Sequence, residues 1–179
     1  MFTAENTALV IIDIQEKLFR VIHEKENLSA NTVTLVKGIR SLDIPVILTE
    51  QNPTGLGPTL PEISSLMPDI EPITKFDFSC CKEEAFLRKL EELKRNQIVV
   101  CGIETHICVY QTALDLADME YEVQIAVDCI SSRTTANRDT ALSRMELEGI
   151  MPTSTEMILF ELLGTAKHDK FKQISALIK

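Results

Sequence analysis

Continuous apolar runs alternate along the chain with longer stretches that are apolar on one helical face only. Residues 8–13 (ALVIID) carry no polar position before the closing acid. A run without polar alternation suits a parallel strand covered on both sides. Residues 28–42 set Leu28, Val33, Leu35, Val36, Ile39 and Leu42 at helical spacing, and residues 45–49 predict a second strand. Residues 50–62 are rich in Pro and Gly and read as a loop. A short third strand ends at Lys75, and residues 82–95 form a helix facing inward through Phe86, Leu87, Leu90 and Leu93. Strands at 98–101 and 123–127 then alternate with helices at 106–119 and 134–148. Gly149 closes the last of these, a short strand lies near Ile150, and helices near 155–163 and 167–178 finish the chain.

About six strands with intervening helices imply right-handed crossovers and a three-layer α/β/α sandwich. The central sheet is expected to be mostly parallel and Rossmann-like. No repeat, low-complexity segment or linker interrupts residues 1–179, so one domain is the expected organisation.

Composition narrows the function classes. Net charge is −9 with no lysine or arginine block, which disfavours nucleic acid as a partner. No apolar run approaches the roughly 20 residues of a membrane span. The run at 8–13 is too short and lacks the basic lead of a secretory signal. Five scattered cysteines, an odd count with no CxxC pair, fit reduced thiols and a cytoplasmic location. The three histidines lie far apart and make no metal-ligand spacing.

In an open parallel sheet, ligands bind beyond the carboxyl ends of the strands, near the reversal of strand order. Asp13, Thr49-Glu50-Gln51, Lys75, the segment 102–108 (GIETHIC) and Asp128 occupy those ends. With strand order 3-2-1-4-5-6, Asp13 and Cys108 face each other across the crevice. Thr105 is a candidate N-cap, which puts Cys108 in the first turn of a helix. There the helix dipole and a nearby Lys75 ammonium would hold a thiolate at neutral pH, and Asp13 would shuttle the proton. Free amides at the helix start could hold a developing oxyanion, unless the Thr105 hydroxyl caps the amide of Cys108. Each residue also has a plain structural reading. An acid after a strand often caps a turn, and a cysteine in a helix is often a small core residue.

Three segments, 9–18 (LVIIDIQEKL), 72–80 (PITKFDFSC) and 101–116 (CGIETHICVYQTALDL), resemble the isochorismatase-like cysteine hydrolases. The resemblance runs from about Thr7 to Leu163. It implies Cys108 as nucleophile, Asp13 as general base and Lys75 as the partner that stabilises the thiolate. It further implies a non-proline cis peptide at Ile103–Glu104 and an oxyanion hole from the amides of Glu104 and Cys108. The reaction class it implies is hydrolysis of a small amide or related C–N bond through an acyl-enzyme. Residues 48–59 (LTEQNPTGLGPT) lack the Asp and His of the metal-dependent nicotinamidase members, so no metal and no cofactor is expected. The segment looks like the short, metal-free branch, whose membership fixes no substrate, and a homo-oligomer is expected on family grounds. Position nominates Gln15, Phe19, Gln51, Phe76 and His106 as substrate-binding candidates, Phe19 and Phe76 being equally eligible for core or subunit interface.

Two other functions compete. The chain could be a catalytically silent interaction protein retaining the fold. It could also be a thiol sensor or flavin binder, although no phosphate-cradling glycine loop follows the first strand.

Overall fold

The computed structural model describes residues 1–179. Its elements in chain order are β1 (Thr7–Ile12), α1 (Glu16–Phe19), α2 (Lys25–Ser41), β2 (Val46–Gln51), α3 (Pro53–Leu56), α4 (Pro61–Ser64), β3 (Ile73–Lys75), α5 (Glu84–Leu93), β4 (Gln97–Ile103), α6 (Tyr110–Asp118), β5 (Glu122–Ser131), α7 (Thr135–Leu147), β6 (Met151–Thr153), α8 (Thr155–Leu163) and α9 (Phe171–Ile178). The six strands form one parallel sheet in the order β3-β2-β1-β4-β5-β6. The expected three-layer α/β/α architecture is therefore the observed one.

Strand pleating sorts the apolar runs between two cores. Leu9, Ile11, Val46, Leu48, Val99 and Cys101 pack on the face covered by α2, α8 and α9. Ala8, Val10, Ile12, Ile47, Ile98 and Val100 pack on the face covered by α5, α6 and α7. Every residue of β1 is fully buried, which accounts for its unbroken apolar run.

Strand order reverses between β1 and β4, and the two strands lie very close there. Gly102 is registered opposite Ile12 with φ +133°, and a Cβ at that position would strike the Ile12 carbonyl oxygen. Only glycine permits that approach. Asp13, the residue after β1, takes the left-handed conformation with φ 55°, which short polar residues tolerate at some cost.

The Pro- and Gly-rich segment expected to be one loop contains two short helical turns, α3 and α4, each opened by a proline at its start. Proline is pre-set for that position because its missing N–H is not needed there. Glu50 fastens the segment: its Oε1 accepts from the Thr59 amide (2.7 Å) and the Thr59 hydroxyl (2.8 Å).

Candidate active site

Three neighbouring strand ends place the polar groups. Asp13 follows β1, Thr49 and Gln51 end β2, and Lys75 ends β3. Lys75 Nζ donates to Asp13 Oδ2 (2.6 Å) and Gln51 Oε1 (2.8 Å), with the carbonyls of Asp77 and Phe78 each at 3.2 Å. The Thr49 hydroxyl donates to Asp13 Oδ1 (2.9 Å), so both carboxylate oxygens are engaged. Behind Thr49, Cys80 Sγ lies 3.7 Å from its hydroxyl as a thiol donor. Asp13 and Lys75 are both fully buried. Burial works to lower the Lys75 pKa, yet the charge of Asp13 and the nearby Cys80 and Cys108 sulfurs carry it above its ordinary value.

Cys108 comes from the segment between β4 and α6. That segment is a π-helical turn, Thr105–Val109, and not the first turn of an α-helix as expected from the sequence. The Glu104 carbonyl accepts from the amides of Ile107 and Val109, and the Thr105 carbonyl accepts from Tyr110, so the turn is widened. Such turns recur at functional sites. Thr105 caps nothing; its hydroxyl is buried without a hydrogen-bond partner. The Ile103–Glu104 peptide is cis.

The electrostatics of Cys108 correct the sequence reading. Burial, first, and the adjacent Asp13 carboxylate, second, push its thiol well above the ordinary range, and Lys75 offsets this only in part. The lysine is already committed to Asp13. Burial and the Asp13 carboxylate therefore favour the thiol over the thiolate, opposite to the direction expected from the sequence.

The substrate-binding candidates divide. Gln51 reaches the polar cluster, but its amide is spent on Lys75 and on the Phe76 carbonyl (2.7 Å). Gln15 is fully buried and serves as a strut. Its Nε2 donates to the carbonyls of Gln51 (3.0 Å) and Gly57 (2.6 Å), and its Oε1 accepts from the Gln51 amide. Phe19 is half-buried against the core under α2. His106 turns to the other side, with Nδ1 3.0 Å from Ser132 Oγ and Nε2 3.3 Å from Asn137 Nδ2. Phe76 is 70% exposed, and Phe78, which the sequence reading passed over, is 53% exposed.

Sequence reasoning placed Thr49 at a strand end without a role, and it missed Cys80 and Arg133. The strand-end position was the signal for Thr49; Arg133 carried none. The Glu104 side chain, 3% exposed, takes the Arg133 amide (3.1 Å), Nε (3.1 Å) and Nη2 (2.7 Å). Burial opposes ionisation of Glu104, but these Arg133 contacts hold its pKa below the usual carboxylate value.

A groove of about 560 Å³ lies elsewhere, along the edge of β2 between Arg40, Ile70, Ile73, Arg88 and Leu93. It has no nucleophile and sits away from the carboxyl ends where open α/β sheets bind ligands, so the buried polar cluster is the stronger candidate. No three His, Cys, Asp or Glu side chains converge as a metal-binding group. No helix is long and apolar enough to cross a membrane.

Known proteins share the sequence pattern and the fold. The Isochorismatase domain profile matches residues 7–157. Isochorismatase domain-containing protein 2 of Xenopus laevis is 39% identical over 175 residues, which cover 97% of this chain and 83% of the frog protein. The structure of the MAR1 ribonuclease of Caenorhabditis elegans is 34% identical with a TM-score of 0.94, covering 99% of this chain and 91% of the nematode chain. The YcaC gene product of Escherichia coli, an octameric hydrolase of unknown specificity, shares the fold at 22% identity and a TM-score of 0.94, over 99% and 88% of the two chains. By the matched profile and by relatedness along nearly its whole length, the chain belongs to the isochorismatase family of hydrolases.

Proposed function

We propose that the chain is a cysteine hydrolase that cleaves a small amide or related C–N bond through a thioester acyl-enzyme, with Cys108, Asp13 and Lys75 as its triad. The single observation that carries the reading is the fully buried Asp13–Lys75 pair beside the Cys108 sulfur at the reversal of strand order. A structural ion pair has no need of a thiol there.

In the proposed sequence Asp13 takes the thiol proton as sulfur attacks the carbonyl carbon. The S–C bond forms, and the oxyanion is met by the amides of Glu104 and Cys108. The Glu104 amide donates to no acceptor within the protein, which leaves it free for that role. Collapse breaks the C–N bond, and Asp13 returns the proton to the leaving amine. Water then attacks the thioester and gives its proton to Asp13. The acid departs as the sulfur regains that proton. Lys75 holds the carboxylate in place throughout, and Phe76 and Phe78 form the exposed lip past which a substrate enters.

A ribonuclease reading enters through the nematode relative. The net charge of −9 and a nucleophile only 5% exposed speak against an extended RNA substrate. The silent interaction protein is the remaining alternative. We place the protein in the cytoplasm, where its five free cysteines stay reduced, and as a homo-oligomer joined through exposed apolar residues such as Met119, Met157 and Phe160.

The test is a panel of small amides, their esters and a short RNA, assayed with the wild type and with Cys108→Ser, Asp13→Asn and Lys75→Met. The reading expects amide turnover, a mass shift on Cys108 from trapped acyl-enzyme, and a loss of about 10²-fold or more in each variant. RNA cleavage that survives Cys108→Ser, or no turnover together with Cys108 labelling no faster than Cys101 or Cys129, overturns it.

A further inference from the structure

Four buried side-chain atoms in the protein have no hydrogen-bond partner: Thr32 Oγ1, Thr105 Oγ1, Gln124 Oε1 and Thr153 Oγ1. Three belong to α2, β5 and β6. Thr105 alone sits in the turn that carries Cys108, with no solvent exposure at all. The residue before it, Glu104, has an amide N–H that is equally without an acceptor in the protein. Buried polar groups are nearly always paired, because an unpaired one forfeits its hydrogen bonds to water and gains nothing in return. Two unpaired groups on consecutive residues, at the start of the turn that carries the buried Cys108 thiol, therefore point to a ligand that completes them.

The chemistry of the two groups is specific. Glu104 offers one donor only. The Thr105 hydroxyl can donate or accept. A primary carboxamide presents a carbonyl acceptor and an N–H donor side by side, whereas a trans N-substituted amide points them in opposite directions. An ester of the same shape presents acceptors alone.

We infer that Thr105 is a substrate-binding residue whose hydroxyl accepts the syn N–H of a primary carboxamide while the Glu104 amide takes its carbonyl oxygen, so that the site selects primary carboxamides over esters and N-substituted amides. The inference rests on the hydrolase reading above and narrows its substrate class. It also assigns the cost of the unpaired hydroxyl: the ligand-free protein carries it because the occupied site uses it, a common exchange of stability for function.

Two alkylating reagents of nearly equal size separate the possibilities. Iodoacetamide carries the carboxamide, and methyl iodoacetate replaces its NH₂ with a methoxy group. With either, the S–C bond forms, iodide leaves and the thiol proton passes to base. Rates at Cys108 are measured by mass spectrometry at one mildly alkaline pH, each divided by the rate with glutathione. The wild type should favour iodoacetamide by about tenfold after this correction, the value of one hydrogen bond left unmade. Thr105→Val and Thr105→Ala should each abolish the preference, and Thr105→Ser should retain it. Thr105→Val, which keeps the shape and removes the unpaired hydroxyl, should also raise the thermal midpoint of the ligand-free protein.

A preference unchanged in both Thr105→Val and Thr105→Ala, or absent from the wild type while Cys108 still reacts faster than the other cysteines, overturns the inference alone. A Cys108 that reacts with neither reagent faster than Cys101 or Cys129 overturns the hydrolase reading, and the inference falls with it.

Discussion

Lys75 Nζ sits 2.6 Å from Asp13 Oδ2, and neither side chain is exposed to solvent. Sixty-two positions separate the two in sequence, and the parallel sheet alone brings them together, each at a carboxyl end with β2 between them. A buried charge pair is a weak contributor to net stability but a strong constraint, because loss of one partner strands the other. Lys75→Met should cost about 3–5 kcal/mol, and Asp13→Asn a comparable amount. The double variant should lose much less than the sum, since it leaves no charge unpaired. Urea unfolding of the four proteins checks this. Additive losses would show that the pair does not interact.

The same carboxylate governs the sulfur. Asp13 raises the Cys108 thiol after burial has already raised it, and Lys75 opposes both. Asp13→Asn removes the raising charge and leaves the lysine. The pH profile of Cys108 alkylation should therefore move to lower pH in this variant, so that at neutral pH its sulfur reacts faster than the wild type's. Amide turnover should meanwhile fall by about 10²-fold or more through loss of the general base. A profile that stays in place or moves upward would show that the carboxylate does not set the thiol.

Much of this site was legible in the chain before any coordinates. Unbroken apolar runs marked the parallel strands, because residues covered on both faces need no polar alternation. The strand-end rule then placed Asp13, Lys75 and Cys108 at one edge. Two things were not legible. The π-helical turn depends on how the Glu104 and Thr105 carbonyls share amides, and 105–109 (THICV) reads equally well as an α-helical start. The direction of the Cys108 shift was not legible for a related reason. Charges near a residue can be listed from sequence, but whether a cation is already committed elsewhere cannot. Lys75 is committed to Asp13, and burial decides the rest. Gln15 shows the same limit: a polar residue beside a catalytic candidate reads as a ligand contact, whereas its amide is consumed by the backbone of Gln51 and Gly57.

Arg133 is the second device that holds the nucleophile segment. Its guanidinium is largely exposed, yet the Glu104 carboxylate it clamps is almost fully buried. Arg133→Ala should destabilise the fold by about 1–3 kcal/mol by leaving that carboxylate without its charged donors. Arg133→Lys should recover only part, since an ammonium cannot reproduce the guanidinium fork. The sign with pH follows from the lowered Glu104 pKa: its contribution is fully present above the ordinary 4.5 and is lost as pH falls through the folded value. The stability difference between wild type and Arg133→Ala should therefore shrink in acid. A difference that is constant down to pH 3, or about 3, would place the effect in packing and not in charge.

The buried cysteines predict an opposite limit at high pH. All five are buried and none forms a disulfide. Burial is the leading cause in each case, raising Cys80 to about 11 and Cys81 to about 12, with Cys101, Cys108 and Cys129 also raised. Unfolded, each thiol would release its proton near the ordinary 9.0. A folded pKa above the unfolded one contributes stability that is complete below 9.0 and is lost as pH climbs toward the folded value. Lys75, also raised, acts in the same sense. Each thiol gives a slope that approaches about 1.4 kcal/mol per pH unit well above 9.0, and the contributions are coupled, since Cys80 raises Cys81 and Cys108 and Cys129 raises Cys101. Urea midpoints measured under reducing conditions should be flat up to about pH 9 and fall steeply over the next one to two units. Cys101→Ala, which removes one fully buried thiol, should shallow that fall. Stability that stays level across this window would mean that the thiols ionise in the folded protein as easily as in the unfolded chain, and burial would then not be what keeps the Cys108 proton in place.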